Sequence, residues 1–168
     1  MKKLTPKLIF ALTFVAGTGL VGGGLYLAKT LNLAACPLCI LQRMVYLALA
    51  LLALIGLMLP GKRSKALPAL LNVALAGTGA FIAGYQVWLQ RFATDVSCTA
   101  NAPWWEEFVY WAGEKVPALF NATGLCSEAG WKFLGLAIAD WSLLAFSGLL
   151  VLSLVALTKS LRAGRSAF

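Results

Sequence analysis

The chain has 168 residues, 61% of them hydrophobic and 12% charged, with a net charge of +8 and no histidine. Soluble domains are roughly 45–50% apolar and about 25% charged, so this composition belongs to lipid and excludes an ordinary soluble enzyme. The positive charge is divided among short segments flanking apolar runs, which excludes a folded basic face and with it a nucleic-acid partner.

Crossing a bilayer takes about 20 apolar residues of helix, and the chain offers several runs of that length. The first, residues 8–28, lies between Lys7 and Lys29. It follows Met1-Lys2-Lys3 as a signal peptide would, but exceeds the roughly 7–15 residue apolar core of such peptides and is read as a retained span. A short segment, 30–37, leads to a second span at 38–59, whose single charge is Arg43 near its start. The basic connection Gly61 to Lys65 precedes an uncharged third span at 66–90. A long segment, 91–133, then reaches a fourth span at 134–158, which holds only Asp140 near its outer end. Residues 1–168 are therefore expected to form one all-α integral membrane domain, a four-transmembrane-helix bundle.

Lys2, Lys3, Lys7, Lys62, Arg63, Lys65, Lys159, Arg162 and Arg165 occupy the two ends and the second connection, with no acidic residue among them. The excess of Lys and Arg places that side, with both termini, in the cytoplasm. The opposite side mixes both signs of charge and carries all the cysteines: Cys36 and Cys39 on the short segment, Cys98 and Cys126 on the long one. That is the disulfide-permissive side.

In the long segment, Trp104, Trp105, Phe108, Val109, Trp111 and Ala112 share one helical face, and Glu106, Glu107, Tyr110 and Glu114 the other. This pattern predicts a helix lying on the membrane surface, its aromatics at headgroup level. Within the spans, Gly19 and Gly23, and Ala76, Ala80 and Gly84, recur at spacings that let helices approach closely.

Cys36-Pro37-Leu38-Cys39 is a Cys-x-x-Cys motif in which Pro37 suits the first position of the second helix. At helical geometry positions 36 and 39 have Cα atoms about 5 Å apart, close enough for a disulfide, and Arg43 falls on the same face. A helix N-terminus and a guanidinium both favour a thiolate, the reactive species in exchange. Without histidine, a haem-attaching Cys-x-x-Cys-His is excluded, and Cys98 and Cys126 lie too far apart in sequence for the second close pair of a four-cysteine zinc site, so no metal is expected. Four cysteines allow three pairings, of which the most natural joins Cys36 with Cys39 and Cys98 with Cys126. A bridge closing so small a loop as Cys36–Cys39 stabilises little and is better explained by redox work.

The run Cys36-Pro37-Leu38-Cys39-Ile40-Leu41-Gln42-Arg43 resembles the bacterial disulfide bond formation protein B (DsbB) family. So does Trp131-x-Phe133-Leu134-Gly135-Leu136, followed by Trp141, at the start of the fourth span. The resemblance implies an inner-membrane protein-disulfide oxidoreductase that reoxidises a periplasmic thiol oxidase, DsbA or a protein like it. Its electrons would pass to ubiquinone or menaquinone. It implies that the partner attacks Cys98 with Cys126 as exchange partner, that Cys126 then attacks Cys36, and that Cys39 is released facing the quinone. Arg43 would assist quinone binding. Two other readings are a vitamin K epoxide reductase-like enzyme and a non-catalytic tetraspan scaffold whose disulfides are structural.

Overall fold

A computed structural model describes residues 5–61, 63–92, 103–128 and 130–165. Its long helices are α1 (Pro6–Thr30), α2 (Pro37–Met58), α3 (Ala66–Phe92) and α6 (Ile138–Arg165), and each is long and apolar enough to cross a bilayer. Two short helices, α4 (Trp104–Lys115) and α5 (Pro117–Phe120), lie between α3 and α6. The protein is thus an all-α, four-span, multi-pass membrane protein. At about 1.5 Å per residue, even the 22 residues of α2 reach about 33 Å, enough for a hydrocarbon core of about 30 Å.

Local chemistry sets the helix starts. Thr5 caps α1 by accepting from the Leu8 N–H at 3.3 Å, with Pro6 in the first turn. Cys36 caps α2 in extended conformation, and Pro37 follows it. At the far end of α2, the buried Lys65 donates to the Gly56 carbonyl at 2.6 Å, satisfying a group the helix end leaves open.

Helix α2 packs between α1 and α3, and α6 packs chiefly on α3 while touching α1 sparsely. The small residues that allow this are only in part those the sequence spacing suggested, Ala76 and Ala80 among them. A Cβ on Gly17 would stand 2.9 Å from the Tyr46 carbonyl oxygen, and one on Gly79 would overlap the Phe146 ring, whereas Gly19 and Gly23 have open space beside them. Spacing reports which small residues share a face, and only the helix register decides which face meets a neighbour. Ala76 is buried in the core as expected, but a Cβ on Gly84 would meet only a Leu143 methyl, at an ordinary contact distance of 3.9 Å. The centre of the bundle gathers Val45, Tyr46, Leu49, Ala83, Phe146 and Leu149, with Tyr46 and Phe146 stacked at 4.0 Å. Large apolar side chains such as Val15, Phe81 and Val151 point outward, as lipid permits.

The fourth span starts at Ile138, not at residue 134. Lys132–Phe133 and Leu136–Ala137 pair as a short antiparallel hairpin, turning through Leu134 and Gly135 at φ 53° and 80°. Hydropathy sees Leu134 and Leu136 as membrane-compatible but cannot see the left-handed backbone that keeps them out of the helix. Asp140 then closes the first turn of α6, accepting from the Ala137 N–H at 2.9 Å and pairing with Arg91 of α3 at 2.6 Å.

The surface helix also differs from its expected orientation. Val109, Ala112 and Gly113 of α4 are buried, and α4 packs on α2, so part of its apolar face serves the protein itself. Trp104, Phe108 and Trp111 remain exposed as a stripe at helical spacing.

Candidate functional site

The cap of α2 assembles the chemistry. Because Cys36 holds extended dihedrals, its Sγ turns back over the first helical turn and accepts from the Cys39 N–H at 3.3 Å. The Cys36 and Cys39 sulfurs lie 3.1 Å apart, unbonded. Cys126 joins them from the long segment, packing against the buried group of Cys36, Leu38 and Leu89 with its thiol beside that of Cys36. Cys36 therefore stands between Cys39 and Cys126.

A close backbone approach delivers Cys126. The Thr123 and Gly124 N–H groups both donate to the Ala35 carbonyl, at 2.9 and 3.0 Å. A Cβ on Gly124 would lie 2.6 Å from the Ala34 carbonyl oxygen, so glycine is required there. The α3 side contributes a second tie, with Gln90 Nε2 donating to the Glu128 carbonyl at 3.2 Å.

Hydrogen bonding separates the two thiols outside the helix. Hydrogen bonding of the Cys36 thiol with its neighbours Cys126 and Cys39, together with burial, holds it protonated well above the usual thiol range. The same bond from Cys36, aided by the Leu38 backbone, holds Cys126 below its ordinary value against the opposing effect of burial. The proton is thus kept on Cys36 and the charge favoured on Cys126.

Two residues absent from the sequence expectations complete the cluster. Gln86 of α3 is buried, and its Nε2 donates to both sulfurs, at 3.3 Å to Cys36 and 3.1 Å to Cys39. Gln42 of α2, also buried, donates from Nε2 to Gln86 Oε1 at 2.7 Å. The signal that could have found them is the cost of an uncharged polar amide inside a span, which demands a partner there.

On the other side of Cys39 a cavity of about 680 Å³ opens between α1, α2 and α6. Cys39, Gln42, Arg43, Tyr46 and Ser142 give it a polar end, and Gly19, Leu20, Gly23, Gly24 and Leu27 of α1 an apolar wall. The open space beside Gly19 and Gly23 is part of what makes room for it. Arg43 lines this cavity with Cys39, and its Nη1 donates to the Leu119 carbonyl of α5 at 3.1 Å. Tyr46 Oη meets Ser142 Oγ at 3.0 Å, and an aromatic cluster closes the rim, with Trp131 stacked on Phe133 and Phe133 tilted against Trp141.

Of the five residues singled out from sequence, the fold brings together Cys36, Cys39, Arg43 and Cys126. Cys98 lies outside the described residues.

The family model for disulfide bond formation protein DsbB matches residues 6–156. The chain belongs to the DsbB family. It is 36% identical to disulfide bond formation protein B of Dechloromonas aromatica over 96% of this chain and 98% of that relative. It is 33% identical to disulfide bond formation protein B 1 of Pseudomonas aeruginosa, covering 92% and 96% of the two chains. A further relative, from Methylobacillus flagellatus, is 38% identical over 83% of this chain and 86% of its own. Membership supports a disulfide-bond-forming oxidoreductase role and gives the three-cysteine cluster its context. The motif Trp131 to Leu136 that resembled the start of a DsbB span is the aromatic hairpin leading into it.

Proposed function

We propose that this DsbB-family protein is a thiol:quinone oxidoreductase of the bacterial inner membrane, with its cysteines on the periplasmic side and both termini in the cytoplasm. It takes electrons from a periplasmic DsbA-like dithiol and passes them to ubiquinone or menaquinone. The observation that carries this reading is the position of Cys36 between Cys126 and Cys39, with the cavity on the far side of Cys39.

In the relay, a partner thiolate attacks Cys98 of a Cys98–Cys126 bridge, forming a mixed disulfide and releasing Cys126 as a thiolate. Cys126 attacks Cys36 of a Cys36–Cys39 bridge: the Cys126–Cys36 bond forms, the Cys36–Cys39 bond breaks, and the electron pair leaves on Cys39. The partner's second thiolate resolves the mixed disulfide and frees Cys98. Cys98 then attacks Cys126, restoring its own bridge and leaving Cys36 and Cys39 reduced. With Cys36 bridged to Cys39 it has no proton to donate, and the contact that still favours charge on the attacking Cys126 is the Leu38 backbone.

The cavity residues fit a quinone, with a polar end at Cys39, Arg43 and Tyr46 for the ring oxygens and a glycine- and leucine-lined wall for an apolar tail. A quinone bound there supplies the two-electron acceptor that returns Cys36 and Cys39 to their bridged form. Arg43 would hold it and stabilise negative charge at that end, its own guanidinium steadied by the Leu119 carbonyl.

The test is the rate of quinone reduction by purified protein in detergent, supplied with a reduced Cys-x-x-Cys protein and either quinone. Wild type should turn over, and Cys39→Ser and Cys98→Ser should each abolish it. No turnover with either quinone, together with bridges that resist the partner thiol, would leave a structural tetraspan protein instead.

A further inference from the structure

The relay above leaves one buried polar pair unused. Gln86 is 2% exposed and Gln42 5%, so each finds its hydrogen-bond partners within the protein. Their shared hydrogen bond consumes the Gln86 oxygen, so its amide hydrogens are left for the two sulfurs. The orientation follows from chemistry as well as from the coordinates: a bridged sulfur or a thiolate only accepts, so the amide must face it with nitrogen. Gln86 does not line the cavity, whereas Gln42 does. Its contacts are with the reacting sulfurs and not with whatever the cavity holds.

We propose that Gln86 is a catalytic residue of this relay, donating to the anion released on Cys39 when Cys126 attacks Cys36, with Gln42 as the positioning residue that aims it. The proposal rests on the thiol-relay reading. In the step concerned, the Cys126–Cys36 bond forms as the Cys36–Cys39 bond breaks, one thiolate is consumed and one produced, and no proton is required from Gln86. A hydrogen bond to a charged acceptor is roughly twice as strong as one to a neutral acceptor. The amide at 3.1 Å from Cys39 therefore binds the released anion better than the bridged sulfur, which speeds the step that makes it.

The experiment uses the full-length chain with Cys36, Cys98 and Cys126 replaced by serine, so that Cys39 alone reacts with iodoacetamide. Gln86→Met, which keeps the size and removes the donor, should alkylate about tenfold more slowly at pH 7 and converge with its parent at high pH, where every thiol is ionised. In the chain with all four cysteines, the same substitution should lower kcat by about tenfold and leave KM for quinone unchanged. Equal alkylation at pH 7, or a loss of the same factor at every pH, overturns the proposal. If Gln86→Met does not fold, Gln42→Met is read in the same assay, a smaller slowing at pH 7 being expected and an unchanged rate overturning the assignment. Alkylation needs neither partner nor quinone, so a chain without turnover would sink the oxidoreductase reading while this comparison still stands on its own.

Discussion

Cys36 is both a structural cap and the hub of the sulfur cluster, and the two roles share one cause. Extended dihedrals at the cap aim its sulfur over the first turn of α2, where Cys39, Gln86 and Cys126 converge on it. Because Cys36 donates to Cys126 and so favours the Cys126 thiolate, removing that donor should make Cys126 less ionised near neutrality. In a reduced Cys98→Ser chain, Cys36→Ala should therefore slow alkylation of Cys126 at pH 7, the difference vanishing above the ordinary thiol range. Gly124 governs the same contact by space. Its Cβ would meet the Ala34 carbonyl, so Gly124→Ala should lift Cys126 away from Cys36. The expected result is a slowing of about tenfold or more in Cys36–Cys126 bridge formation when oxidised glutathione is added as the two-electron oxidant to a reduced Cys39→Ser, Cys98→Ser chain, followed by gel shift.

The elements around the site are held by a few polar ties at their ends. Asp140 accepts from the Ala137 N–H and also meets Arg91, but the Arg91 side chain is 57% exposed while that of Asp140 is 14% exposed. The cap should therefore outweigh the ion pair: Asp140→Ala is expected to cost about 1 kcal/mol and Arg91→Ala less than that, measured by thermal unfolding in detergent. Helix α4 is seated by Val109, which is fully buried, and by Gly113, where a Cβ would stand 2.8 Å from the Phe120 carbonyl oxygen. Its exposed Trp104, Phe108 and Trp111 are left for the membrane surface.

Across the whole molecule, the strong α3–α6 packing and the sparse α1–α6 contact are two sides of one arrangement. Phe146 fills the space over Gly79 and stacks on Tyr46, fastening α6 to α3 and α2, and so leaves the cavity on the α1 side. Phe146→Ala should cost about 3–5 kcal/mol by cavity formation and broaden or lower the thermal transition. The proposed orientation makes a separate demand. In a cysteine-free background, a membrane-impermeant maleimide added to spheroplasts should label Glu128→Cys and spare Ser64→Cys, and the reverse pattern would invert the topology.

Four spans, a polar end rich in lysine and arginine, and a Cys-x-x-Cys at a helix start were legible in the sequence because each depends on local composition and spacing. Span length, charge flanks and a proline after a capping residue act over a few neighbours and need no partner. The cysteines and Arg43 were visible for the same reason, as residue types whose chemistry is scarce in lipid. What tertiary structure alone decided is which groups meet: Gln86 with the sulfurs of α2, Cys126 with Cys36 across the Gly124 approach, and Gly17 and Gly79 at the helix crossings. It also decided that Leu134 and Gly135 turn instead of starting a helix. These outcomes depend on helix register and on contacts between residues far apart in the chain, and an apolar run reads the same whichever of its faces is turned to a neighbour.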